Sequence, residues 1–122
     1  MRKAMKTKVL AVAGIVLLLA AAPVWAHHSM GAKYDTHQSI LLKGTITKIS
    51  WENPHVRLYL QAEDKAGQDA GWEFELGSPS LQIQNGWRLD TFRRGDYVVV
   101  TAYPARDGSR FGYASKVALS SH

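Results

Sequence analysis

The chain has 122 residues, 46% of them hydrophobic and 20% charged, enough for one domain of ordinary globular composition. It has no cysteine, which excludes disulfides, thiolate metal sites, a cysteine nucleophile, c-type haem attachment and a lipoprotein anchor. The formal charge of +5 does not signal a nucleic-acid surface: Arg2, Lys3, Lys6 and Lys8 lie in the first eight residues, and the other eleven basic residues face ten acidic ones, a balance of +1.

Residues 1–8, MRKAMKTK, form a positive stretch, and 9–22, VLAVAGIVLLLAAA, form an apolar one. Pro23-Val24-Trp25-Ala26 then places Val24 and Ala26 at positions −3 and −1 of a cut after Ala26. This is the layout of a cleavable secretory signal peptide. The uncharged run 9–26 is 18 residues long, the lower edge for crossing a bilayer. Pro23 favours cleavage over an uncleaved anchor. The expectation is a signal peptide over 1–26, an N-terminal arm over 27–39 and a β-rich domain over 40–122. The product would be periplasmic, with no stable membrane insertion after cleavage.

The arm reads as irregular. Segment 40–50, ILLKGTITKIS, is rich in β-branched residues and predicts a first strand. Asn53-Pro54 marks a turn. Segment 55–62 alternates: Val56, Leu58, Leu60 and Ala62 point one way, and His55, Arg57, Tyr59 and Gln61 the other. After a polar loop, 72–76 alternates again, with Trp72, Phe74 and Leu76 inward and Glu73 and Glu75 outward. Ser78 as N-cap and Pro79 at the first helical position predict a short helix, stopped by Gly86. Arg93-Arg94-Gly95-Asp96 is a tight turn rather than an adhesion motif. Segments 97–103 and 113–119 predict two more strands, around a loop containing Asp107-Gly108. Five strands with one short helix between the third and fourth predict a mainly β chain folded as a small OB-like barrel. A five-stranded sandwich is the alternative.

An OB barrel takes ligands across strands 2 and 3. The candidate ligand-binding residues there are Arg57, Tyr59, Glu73 and Glu75, with Trp51 beside them. A hairpin centred near Gly67 sets Arg57 and Tyr59 opposite or diagonal to the two glutamates, an arrangement that structural pairs also produce. Two acids on this face also argue against single-stranded nucleic acid, which wants a basic groove with stacking aromatics. The expected partner is a small molecule or another exported protein, not nucleic acid.

A cut after Ala26 would expose His27-His28-Ser29-Met30. An N-terminal histidine offers its amine and its ring nitrogen to one ion, and His28 adds a third donor. Such donors suit Cu(II), Ni(II) and Zn(II). His55 is the candidate that completes a metal site with His27 and His28; His37 and Met30 are weaker candidates, and Asp35 and Glu75 can supply oxygen. The plainer alternative is a polar tail and a strand-end histidine. Catalytic sets are poorly represented. Leu76-Gly77-Ser78-Pro79 lacks the second glycine of a nucleophile elbow, and no phosphate-binding glycine loop is present.

The combination of Ala26-His27-His28-Ser29 with Tyr34-Asp35, Trp51-x-Asn53-Pro54-His55, Trp72-x-Phe74-Glu75-Leu76-Gly77-Ser78-Pro79, Gly86-Trp87, Gly95-Asp96 and Asp107-Gly108 resembles a family of small exported bacterial proteins of unknown function. The resemblance spans essentially the whole chain after residue 26. It implies a periplasmic location and an OB-like barrel, and no activity. Met30 stands where many relatives are expected to carry an aromatic. The functional expectation is thus an exported, non-catalytic binding or accessory domain of unknown ligand. The alternative is a periplasmic copper-binding protein using His27, His28 and His55. No cofactor other than copper is suggested.

Overall fold

Strand β1, Ile40–Ser50, carries too few charges on its inner face to sit in solvent: Ile40, Leu42 and Ile46 all turn toward the core. A computed structural model describes residues 30–63 and 66–122. Two compact units divide the chain, Met1–Ala32 and Lys33–His122, and the second holds all the strands.

The remaining elements are β2 (Arg57–Glu63), β3 (Asp69–Glu75), α1 (Pro79–Gln84), β4 (Tyr97–Pro104) and β5 (Phe111–Leu119). They close a barrel in the order β1-β2-β3-β5-β4. The predicted OB-like barrel, with its helix between the third and fourth strands, is therefore the observed fold, and the sandwich is excluded. Closure depends on β1, whose first half pairs with β4 and whose second half pairs with β2. A register shift between Ile46 and Lys48 bends the strand and lets Ile49 as well as Ile46 pack inward. Gly44 belongs to both ladders. A Cβ there would stand 2.5 Å from the Gln61 carbonyl oxygen, so only glycine lets the two strands approach.

The last closing contact is short. Strands β3 and β5 run parallel over three pairs, Glu73 to Phe111, Phe74 to Gly112 and Glu75 to Tyr113. Strand β3 starts at Asp69, three residues before the predicted start. Asp69, Ala70 and Gly71 lack apolar alternation but pair with Glu63, Ala62 and Gln61, so hairpin pairing extends the strand where periodicity does not.

Leu58, Leu60, Phe74, Val98, Val100 and Ala102 fill the barrel. Each large side chain among them contributes about 1.5–3 kcal/mol by leaving water. Helix α1 forms as its sequence predicts. The Leu81 N–H donates to Ser78 Oγ at 3.2 Å, Pro79 sits in the first turn, and Gly86 takes φ +95° after the end. The Arg93–Asp96 segment is a turn: the Arg93 N–H donates to Asp96 Oδ2 at 2.9 Å, and the Gly95 N–H donates to the Ile46 carbonyl at 2.8 Å.

Candidate functional site around Glu75

Alternation along β3 sends Phe74 into the core and Glu75 to the outside of the barrel. Glu75 is nevertheless buried, at 8% exposure. The reason lies in the arm. Residues Lys33–Asp35 run beside the end of β4: the Asp35 N–H donates to the Pro104 carbonyl at 2.9 Å, and the Arg106 N–H donates to the Lys33 carbonyl at 3.1 Å. Tyr34 forms a β-bridge with Ala105, and its ring is 2% exposed. It stacks on Phe111 at 5.9 Å and meets Tyr113 edge-on at 5.8 Å. These β5 aromatics pair with Glu73 and Glu75, so the parallel ladder delivers Tyr34 to the glutamate.

Three side chains converge on the Glu75 carboxylate. The Tyr34 hydroxyl donates a hydrogen bond to Oε2. Lys33 Nζ lies 3.6 Å from the same oxygen and 4.5 Å from the Phe111 ring centre. His55 Nε2 lies 3.5 Å from Oε1. The other His55 nitrogen, Nδ1, is 2.8 Å from the Leu76 carbonyl. A carbonyl only accepts, so Nδ1 carries the proton and the ring orientation is fixed. Burial, then the bond to Glu75 and its negative charge, push the Tyr34 phenol far above its ordinary pKa. Burial, then the Glu75 charge, also raise Tyr113.

Arg57, Tyr59 and Glu73 form a second group on the same face. Directly opposed pairs are Arg57 with Glu75 and Tyr59 with Glu73, as the hairpin centre predicts. The ion pair runs diagonally, from Arg57 Nη1 to Glu73 Oε1 at 3.0 Å, with the two side chains 39% and 27% exposed. The Glu73 hydrogen bond raises the pKa of both Arg57 and Tyr59. Lys48 Nζ sits 5.4 Å from the Tyr59 ring centre. Trp51 has a different place: its ring meets Trp87 at 6.3 Å and packs against the core.

The structure thus brings His55 to Glu75 and Arg57 to Glu73. His27 and His28 lie outside the described residues. Among the described residues, no three His, Asp or Glu side chains stand close enough together to hold a metal ion. His37 is exposed in a turn, where its N–H donates to Asp35 Oδ1 at 3.1 Å. Sequence reasoning missed Lys33, Tyr34, Phe111 and Tyr113 as members of the site. The alternation of Phe111 and Tyr113 was the available signal, but the last strand was read as starting at Tyr113.

Crystal structures of the mitochondrial single-stranded DNA binding protein Rim1 from S. cerevisiae share this barrel. One form covers 67% of this chain and 92% of its own at 14% identity and TM-score 0.50. A selenomethionine form covers 67% and 93% at 14% identity and TM-score 0.51. Likeness at that identity is a likeness of fold. It overturns the expectation that nucleic acid is excluded as a partner, because structures with this barrel include single-stranded DNA binding proteins. Two acids on β3 are therefore no ground for the exclusion. No curated protein matches the chain in sequence. Over residues 13–114 the chain matches, and belongs to, DUF6152, a family of unknown function.

Proposed function

We propose that this protein is an exported, non-catalytic binding or accessory domain of unknown ligand; the alternative is a copper-binding domain using His27, His28 and His55. The observation that supports the alternative is the orientation of His55. Its Nδ1 proton is committed to the Leu76 carbonyl, and its Nε2 is aimed at the Glu75 carboxylate at 3.5 Å. A metal-binding histidine is commonly held in this way, by a hydrogen bond from the nitrogen that does not bind the ion.

Export is supported by the leader pattern of residues 1–26, and the absence of a nucleophile elbow or phosphate loop supports binding rather than turnover.

The test is a calorimetric titration of Cu(II) into the natively processed protein, after intact mass has established His27 as the first residue. Tight one-to-one binding is expected, lost in His27→Ala and weakened in His55→Ala. Weak binding indifferent to His55 would overturn the alternative and move attention to the Arg57–Tyr59–Glu73 face.

A further inference from the structure

We infer that the groove between α1 and the open edge of β5 is a docking site for an extended, acidic peptide segment of a partner protein, taken up as an added strand. The groove is separate from the Glu75 group and needs no metal. The first observation is the shortness of the β3–β5 contact. It ends at the Glu75–Tyr113 pair, while β5 runs on along β4 to Leu119. Among the described residues, no strand pairs with the other edge of β5 beyond Tyr113. The β4–β5 ladder fixes what that edge offers. The Ser120 N–H donates to the Tyr97 carbonyl at 2.9 Å, one step beyond the Val98–Leu119 pair. Hydrogen-bonded pairs alternate along an antiparallel ladder. Ala118 therefore turns its N–H and C=O to β4, and Val117 and Leu119 turn theirs to the open edge. Such a row of groups is a template for another strand.

The second observation is the groove beside that edge. Its volume is about 410 Å³, within the roughly 300–1,000 Å³ of ligand sites. Leu76, Leu81 and Trp87 give it an apolar wall, and Val117 lines it from β5. Gln82 lines it too, although that residue is only 6% exposed. Gln82 Oε1 accepts from the Gly77 N–H at 3.1 Å. The amide nitrogen of Gln82, with two protons to donate, has no partner among the described residues. A peptide carbonyl is the acceptor that it lacks.

Charge selects the occupant. Lys116 is exposed and is the one charged residue among those lining the groove, so the occupant is expected to bring a carboxylate. Strand β5 itself, FGYASKVAL, contains no acid. A second copy pairing through its own β5 would therefore bring Lys116 no counter-charge, and a lysine on an edge strand is a common guard against such self-pairing. Side chains alternate along an added strand. A residue beside Val117 faces the apolar wall, and its neighbour beside Lys116 faces the other way. The segment that fits alternates apolar and acidic residues.

The experiment titrates a short capped peptide of alternating valine and glutamate into the isotope-labelled, natively processed protein and follows the amide signals by NMR. A peptide of alternating valine and lysine is the control. The glutamate peptide is expected to shift the Val117 and Leu119 amides and to slow their exchange with solvent, and the lysine peptide to leave them unchanged. Lys116→Glu is expected to reverse that preference. Leu119→Pro removes an N–H that β4 does not use, a place where an edge strand tolerates proline, and is expected to abolish binding. Should Leu119→Pro fail to fold, Lys116→Glu, at an exposed position, decides. No shift along β5 at millimolar peptide overturns the inference, as does a response to both peptides that Lys116→Glu leaves unchanged. Shifts at Val117 and Leu119 that grow with protein concentration in the absence of peptide overturn it in favour of a second copy.

Discussion

Glu73 and Glu75 are two residues apart on one strand and face the same side of the barrel, yet they live in different electrostatic worlds. Glu73 meets Arg57 where both side chains are partly exposed to solvent. Glu75 lies under Tyr34, with a tyrosine hydroxyl, an ammonium and an imidazole around it. Nothing in β3 itself creates the difference. It comes from a segment forty residues earlier in the chain, which docks beside β4 and covers one glutamate and not the other. A strand supplies a direction; burial is decided by what lies across it.

Breaking that cover should have the largest effect. Tyr34 is 2% exposed and packed between two aromatic rings. Tyr34→Ala removes a large buried side chain and takes a hydrogen-bonding hydroxyl from Glu75 Oε2. A loss of about 3–5 kcal/mol is expected in urea unfolding. A loss below about 1 kcal/mol would mean that the arm does not stabilise the barrel. Glu75→Ala should cost less, about 1–3 kcal/mol, because it leaves a buried phenol without its acceptor.

The comparison also shows what was legible in the sequence. The strands of the hairpin could be read because Val56, Leu58, Leu60 and Phe74 alternate with polar residues, and the helix because Ser78-Pro79 and Gly86 bracket it. The pairing of Arg57 and Tyr59 with the two glutamates followed from the loop centre. The burial of Glu75 could not be read. Alternation assigns a side chain to a face, not to solvent, and Tyr34 reaches that face through the bridge to Ala105 and the short parallel contact of β3 with β5. Both are pairings between distant segments that no local pattern encodes. The same limit applies on the ligand side: two acids on the β2–β3 face do not exclude nucleic acid, since solved structures with a similar barrel include single-stranded DNA binding proteins.

A pH series sharpens the contrast. Below pH about 10 the Tyr34 phenol is protonated in both the folded and the unfolded chain. Above it the unfolded chain loses the proton while the folded one keeps it, since the folded pKa is raised. The folded state then binds more protons, so stability falls as pH rises, by up to about 1.4 kcal/mol per pH unit for one such group. Tyr113 and Tyr59 are raised as well and add to the slope. Tyr34→Phe should therefore flatten the alkaline limb without abolishing it. An unchanged slope would show that the folded chain does not hold the phenol proton more tightly than the unfolded one.

The smallest effect is expected at Glu73, and it has its own signature. Its ion pair with Arg57 is short, at 3.0 Å, but the guanidinium side chain is 39% exposed. Water and salt screen a pair in that position, and measured exposed pairs give about 0.2–1 kcal/mol. Glu73→Ala should cost no more than this, and the cost should shrink as ionic strength rises past about 0.15 M, where the Debye length is about 8 Å. The Tyr34–Glu75 bond, buried from the same salt, should show no such dependence. Measuring both variants by urea unfolding at low and high salt separates the two glutamates directly. If Glu73→Ala proves as costly and as salt-insensitive as Glu75→Ala, the exposed face carries structural charge too. The difference would then lie in the strand rather than in the cover that Tyr34 provides.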